Sequence, residues 1–101
     1  MSRALEKINY QEDTEGIARF AKALSHPTRI AILKHLDQSA CCFTGDLVEV
    51  FPLAQSTISQ HLKELKNAGL IQGELEPPKI RYCINKENWA KAKQLFEGFF
   101  Q

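Results

Sequence analysis

No stretch of this chain approaches the roughly 18 consecutive apolar residues that a membrane-spanning helix requires, so no membrane partner is expected. The opening residues MSRALEKINYQEDTEG carry no apolar segment of the secretory-signal type, which points to the cytoplasm. Cysteine is scarce and odd in number, three in 101 residues, which argues against a disulfide framework and makes reduced thiols the expected resting state. The five glycines never gather into a phosphate-cradling loop, and no nucleophile motif is present. Ser59 and His61 are neighbours in sequence only, so an enzyme is not expected. Charge of one sign is also lacking: 13 Lys and Arg face 12 Asp and Glu, a formal net charge of +1. A strongly basic nucleic-acid binder is thereby excluded, and a local basic face is not. Repeats, low-complexity tracts and linkers are absent, and a chain of this length has room for one core, so residues 1–101 are expected to form a single domain.

What is present is a succession of short amphipathic segments. Ile17, Phe20, Ala21 and Leu24 recur at helical spacing and predict a first helix over about Thr14 to Leu24. Ser25-His26-Pro27 starts a second, with Ser25 as the cap and Pro27 in the first turn, where a missing N–H costs nothing. That helix runs to about Asp37 and offers Ile30, Ile32, Leu33 and Leu36 to the core. Ala40 to Phe43 is too short for a helix and is expected as a strand. Thr44 then caps a third helix carrying Leu47, Val48 and Val50, which Phe51-Pro52-Leu53 breaks. A fourth helix follows from Leu53–Gln55 to Gly69, the residue best suited to a left-handed C-terminal cap. Leu70–Leu75 and Lys79–Ile84 flank Glu76-Pro77-Pro78 as a β-hairpin, with Ile80, Tyr82 and Ile84 on one face. From about Lys86, Trp89, Ala92, Leu95, Phe96, Phe99 and Phe100 line one side of a last helix. The expected fold is mainly α with a small hairpin: five helices and a wing of two or three strands.

Two helices joined by a tight turn outline a helix-turn-helix. In the second of them Ile58, Leu62 and Leu65 define a buried face. The opposite face then shows Gln55, Ser56, Ser59, Gln60 and Lys63, flanked by Thr57 and His61. Short polar groups of this kind reach base edges, and a lysine reaches phosphate. Lys79 and Arg81 on the hairpin are further phosphate candidates. His61 is read as a DNA-side or structural residue. His26 and His35, nine apart, share no face at metal-binding spacing and are expected to cap or to lie on the surface.

The phrases LSHPTRIAILKHL and QSTISQHLKELKNAGLI, with a hairpin ending in RYCIN, resemble the ArsR/SmtB family of bacterial winged-helix repressors across nearly the whole chain. The resemblance implies a homodimer on double-stranded operator DNA, with paired recognition helices in successive major grooves and the hairpin as a wing. It implies dimer contacts through the first and last helices, here Ile17, Phe20, Trp89, Phe96, Phe99 and Phe100. The last helix holds more aromatic surface than one small core covers, in keeping with that expectation.

Members of the family are commonly released from DNA by a metal, a metalloid or an oxidant. The last helix has no His, Cys or Asp, so the dimer-interface site of zinc-sensing members is not expected. The arsenic-sensing pattern Cys-Val-Cys-Asp-Leu is replaced by Cys-Cys-Phe-Thr-Gly-Asp-Leu, with Thr44 and Gly45 before Asp46. In a winged helix the strand before the third helix lies beside the second wing strand, which carries Cys83. Alternation sends Cys41 and Cys42 to opposite faces, so one of them is expected to share a face with Cys83. Cys41, Cys42 and Cys83 are thus candidates for a thiophilic ion such as arsenite or for a disulfide. The alternatives are a redox-responsive regulator, a constitutive one whose cysteines only pack, or a protein-interaction module.

Overall fold

The computed structural model describes residues 11–39 and 41–101. Five helices and three strands follow in the order α1 (Glu12–Ala23), α2 (Pro27–Ser39), β1 (Cys41–Phe43), α3 (Thr44–Val50), α4 (Gln55–Asn67), β2 (Ile71–Glu76), β3 (Lys79–Ile84) and α5 (Lys86–Phe100). Ala40, the expected first residue of the strand, lies outside the described residues. The strands form one antiparallel sheet in the order β1-β3-β2. Mainly helical with a three-stranded wing, this is the winged helix-turn-helix architecture expected above.

The core is assembled from one face of each helix and the inner face of the sheet. Phe20, Ile32, Leu36, Leu47, Ile58, Leu62, Leu65, Leu70 and Ile71 are fully buried. Two expectations are corrected here. Phe20 is a core residue with no exposed surface, so it is not available to a dimer interface. Ile30 is 41% exposed, because the buried stripe of α2 centres on Ile32, Leu33 and Leu36 and leaves Ile30 over its edge. The inward position one turn earlier belongs to Arg29, which is half-buried.

Caps differ from expectation at two helices and agree at a third. The α2 cap is His26, not Ser25: the imidazole Nδ1 accepts from the Thr28 N–H at 3.2 Å, while the Ser25 hydroxyl donates back to the Lys22 carbonyl. At α3 the cap position is Phe43, whose N–H donates to the Asp46 carboxylate at 3.0 Å, and Thr44 is already helical. At the end of α4, Gly69 has φ +86°. Its N–H donates to the Lys66 carbonyl and that of Leu70 to the Leu65 carbonyl, the paired bonds of a Schellman motif. A side chain there would also meet Asn88, whose Nδ2 lies 2.8 Å from the place of a Cβ and donates to the Gly69 carbonyl. Gly69 therefore fixes both the end of α4 and the seat of α5 beside it.

Candidate nucleic-acid interface

Helix α4 is two-faced. Ile58, His61, Leu62 and Leu65, at i, i+3, i+4 and i+7, are buried; Gln55, Ser56, Thr57, Ser59, Gln60 and Lys63 are exposed. Its N-terminal position, Ala54, offers no side-chain cap, so the first-turn amides of Gln55 and Ser56 point outward beyond the helix start. Within the exposed row the Gln60 amide donates to Glu64 at 3.4 Å.

Of the two readings of His61, the structural one fits and the DNA-side one is corrected. It is 8% exposed, its ring centroid lies 4.5 Å from that of His26, and its Nδ1 accepts from the Arg29 Nε–H at 3.2 Å. Burial, then the neighbouring His26 and Arg29, hold its pKa below the ordinary histidine value. The signal was in the spacing, since His61 stands at i+3 from Ile58 on the apolar stripe. Arg29 carried no expectation, although it precedes Leu33 and Leu36 at i+4 and i+7 on the inward face of α2.

The register of β2 on β3 sorts the wing into two faces. Ile71, Gly73, Leu75, Ile80, Tyr82 and Ile84 share one, the outer part of which is exposed. Glu74, Glu76, Lys79 and Arg81 share the other, two acids against two bases. Arg81 donates to the Glu74 carboxylate and approaches Glu76 at 3.8 Å. The hydrogen bond to Arg81 and its charge hold the Glu74 carboxyl below its usual range, and Glu74 in turn raises Arg81. Arg81 is thus paired across the wing in an exposed ion pair, while its guanidinium stays at the surface. Lys79 is exposed and reaches over the Phe43 ring, 5.4 Å from its centroid. Gln55 and Ser59 of α4, Thr44 and Gly45 of α3, and Lys79 and Ile80 of the wing line a common groove of about 480 Å³.

The cysteines are divided, not gathered. Cys41 stands directly opposite Cys83, with Cα atoms 4.3 Å apart, and the two are joined in a disulfide. Cys42 opposes Tyr82 on the other face, buried in the core with the Ser39 hydroxyl 3.4 Å from its sulfur. The sharing of a face by one cysteine with Cys83 is as expected; the three-thiol cluster is not formed. Among the described residues no group of three His, Cys, Asp or Glu side chains is placed to hold a metal ion.

A helix-turn-helix whose second helix turns a row of short polar side chains outward beside a β-hairpin defines a winged-helix transcriptional regulator of the DNA-binding class. Residues 26–72 match the family model described as bacterial regulatory protein, arsR family. The HTH-type transcriptional regulator YgaV of Escherichia coli strain K12 is 35% identical over 82 residues, 81% of this chain and 83% of that protein. An ArsR-like transcriptional regulator from Rhodococcus superposes with a TM-score of 0.74 at 27% identity, covering 84% of this chain and 79% of that one. The transcriptional repressor PagR of Bacillus anthracis superposes with a TM-score of 0.67 at 27% identity, covering 80% and 93%. The chain belongs to the ArsR family of bacterial regulators. No helix among its described residues is long and apolar enough to cross a membrane.

Proposed function

We propose that the chain is a homodimeric repressor that reads operator DNA through α4 and lets go of it when Cys41 and Cys83 are oxidised to their disulfide. The observation that carries the DNA reading is the exposed row on α4: Gln55, Ser56, Thr57, Ser59 and Gln60 are of the size and polarity that match base edges, and Lys63 follows at the phosphate side. Lys79, at the mouth of the groove between α4 and the wing, and Arg81 on the same wing face are further phosphate ligands. The similarity to PagR, a transcriptional repressor, supports the direction of control. Dimer formation is assigned to α1 and α5, where Ile17, Trp89 and Phe96 are half-buried and Phe99 and Phe100 lie largely open.

The thiol switch follows from where the disulfide sits. Strand β1 runs straight into α3, α3 packs on α4, and Cys83 belongs to the wing. The Cys41–Cys83 bond therefore ties together the two walls of the groove. With the thiols reduced, three residue pairs of β1 on β3 remain, and wing and helices are free to settle together on a duplex. Oxidation passes two electrons and two protons from the thiols to a small disulfide or peroxide-class oxidant and locks the groove at one width. A cavity of about 580 Å³ bordered by Cys41, Cys83, Trp89 and Lys93 gives such a reagent access. Two sulfurs on one face, with Cys42 on the other, fit a dithiol–disulfide couple better than a three-thiolate ion site.

Two substitutions test the DNA reading. Gln60→Ala is expected to cost about 1–3 kcal/mol of affinity for the protein's own upstream DNA and little for unrelated sequence. Lys63→Ala is expected to weaken both equally and to reduce the slope of log affinity against log salt by about one. Fluorescence anisotropy at several salt concentrations separates the two patterns; specific binding untouched by either change would mean that α4 is not the reading helix.

A further inference from the structure

The contact that seats the recognition helix on α2 is polar at its centre. Arg29 donates from Nε to the Nδ1 of His61, and the His61 ring packs against His26. His26 in turn accepts the Thr28 N–H at its own Nδ1. Both imidazoles thus use Nδ1 as an acceptor, which leaves each neutral ring with its proton on Nε2. A proton added at the His61 Nδ1 removes the acceptor and breaks the bond from Arg29. It also sets a new cation within hydrogen-bonding distance of the Arg29 guanidinium, in a site 8% exposed.

We infer that Arg29 is a positioning residue, and that Arg29, His26 and His61 form a proton-sensitive clamp holding α4 at the angle it needs for DNA, so that mild acid weakens operator binding. The inference rests on the reading of α4 as the recognition helix. Among the described residues no carboxylate is hydrogen-bonded to His61, and the charged or titratable groups acting on it are His26 and Arg29. From α2 come His26 and Arg29, and the cleft beside Arg29 is shared with Arg19 and Lys22 of α1 and with Glu64 one turn along α4. Of the other elements packed on α4, α3 turns Asp46 to its own Phe43 N–H and carries Glu49 exposed, while the acids Glu74 and Glu76 near the wing tip face Arg81. A proton on His61 is therefore met by cations and by desolvation, in line with its lowered pKa.

Because neutral His61 is favoured in the folded protein, the stability it contributes is complete above the ordinary histidine value of about 6.5 and is lost as pH falls through the lower folded value. A histidine facing DNA behaves in the opposite way: protonation adds a cation near phosphate, and affinity rises in acid. Direction alone thus distinguishes a clamp from a DNA contact.

The experiment is operator binding of the full chain, kept reduced, between pH 7.5 and 5.5 at constant ionic strength. Affinity is expected to fall severalfold, with most of the loss below about pH 6.5, where an ordinary histidine takes up its proton. His61→Asn, which keeps an acceptor near the position of Nδ1, is expected to flatten the profile, and His35→Asn to leave it unchanged. Affinity that rises in acid, or a fall that persists in His61→Asn, overturns the clamp while leaving α4 as the reading helix. Absence of operator binding at pH 7.5 overturns the reading of α4 instead. The clamp is also tested without DNA, by NMR titration of the ring nitrogens. His61 is expected to titrate below an ordinary histidine and to move up in Arg29→Met; a midpoint unmoved by Arg29→Met refutes it whatever the DNA result.

Discussion

Replacing Leu62 by alanine is expected to lower the unfolding free energy by about 2–5 kcal/mol, the range for removing a fully enclosed leucine side chain from a packed core. Leu62 has no exposed surface and lies in the middle of α4, among Ile58, Leu65 and the apolar residues of α2, α3 and the sheet. Single domains of this size have about 5–15 kcal/mol in total, so the variant is expected to be partly unfolded at growth temperature. Denaturant unfolding followed by circular dichroism measures the change, with the midpoint shifting and the slope holding. A loss below about 1 kcal/mol would mean that this face of α4 is not enclosed, and with it the assignment of the opposite face to DNA would fall.

The double variant Phe99→Ser, Phe100→Ser is expected to separate the dimer and to weaken operator binding by roughly 10²–10⁴-fold. The two rings stack edge to face near the end of α5 and are 64% and 77% exposed, so little of the chain's own packing depends on them. Two open aromatic rings side by side are the kind of face a partner covers, and a second copy is the partner proposed. Two recognition helices on one operator bind with an effective local concentration that each half alone lacks, which is the source of the expected factor. Sedimentation at micromolar protein, run beside anisotropy, reads both effects. A variant that stays dimeric, or that turns monomeric and binds as before, contradicts the assignment.

Much of the fold is legible in single residues of the sequence. Ile58, Leu62 and Leu65 at helical spacing orient α4, Gly69 ends it with the positive φ that only glycine adopts without strain, and Pro52 breaks the turn before it. The alternation of Cys41 and Cys42 places one of them with Cys83; which one depends on the pairing register, a long-range property that no local pattern carries. The caps were less legible: at α2 the His26 ring takes the Thr28 N–H that a Ser25 cap would have used, and at α3 the helix begins one residue earlier than expected, with the Asp46 carboxylate taking the Phe43 N–H. Polar residues on buried stripes were the hardest. His61 and Arg29 both obey the core spacing of their helices, yet each has the chemistry of a surface group until its partner, 32 residues away, is known. Arg81 shows the converse: a cation in the expected place on the wing whose charge is paired with Glu74 and Glu76 across the hairpin.

Whether the Cys41–Cys83 couple controls DNA binding is decided by comparing the two redox states of the protein. The affinity of the chain for its own upstream DNA is measured in matched samples, fully reduced and equilibrated with an oxidising glutathione buffer, for the natural sequence and for Cys83→Ser. The expected result is tight, salt-dependent binding by the reduced protein, a loss of about tenfold or more on oxidation, recovery on re-reduction, and a Cys83→Ser protein that binds and ignores the buffer. Equal affinity of the reduced and disulfide forms, or an oxidant response that survives in Cys83→Ser, would contradict it.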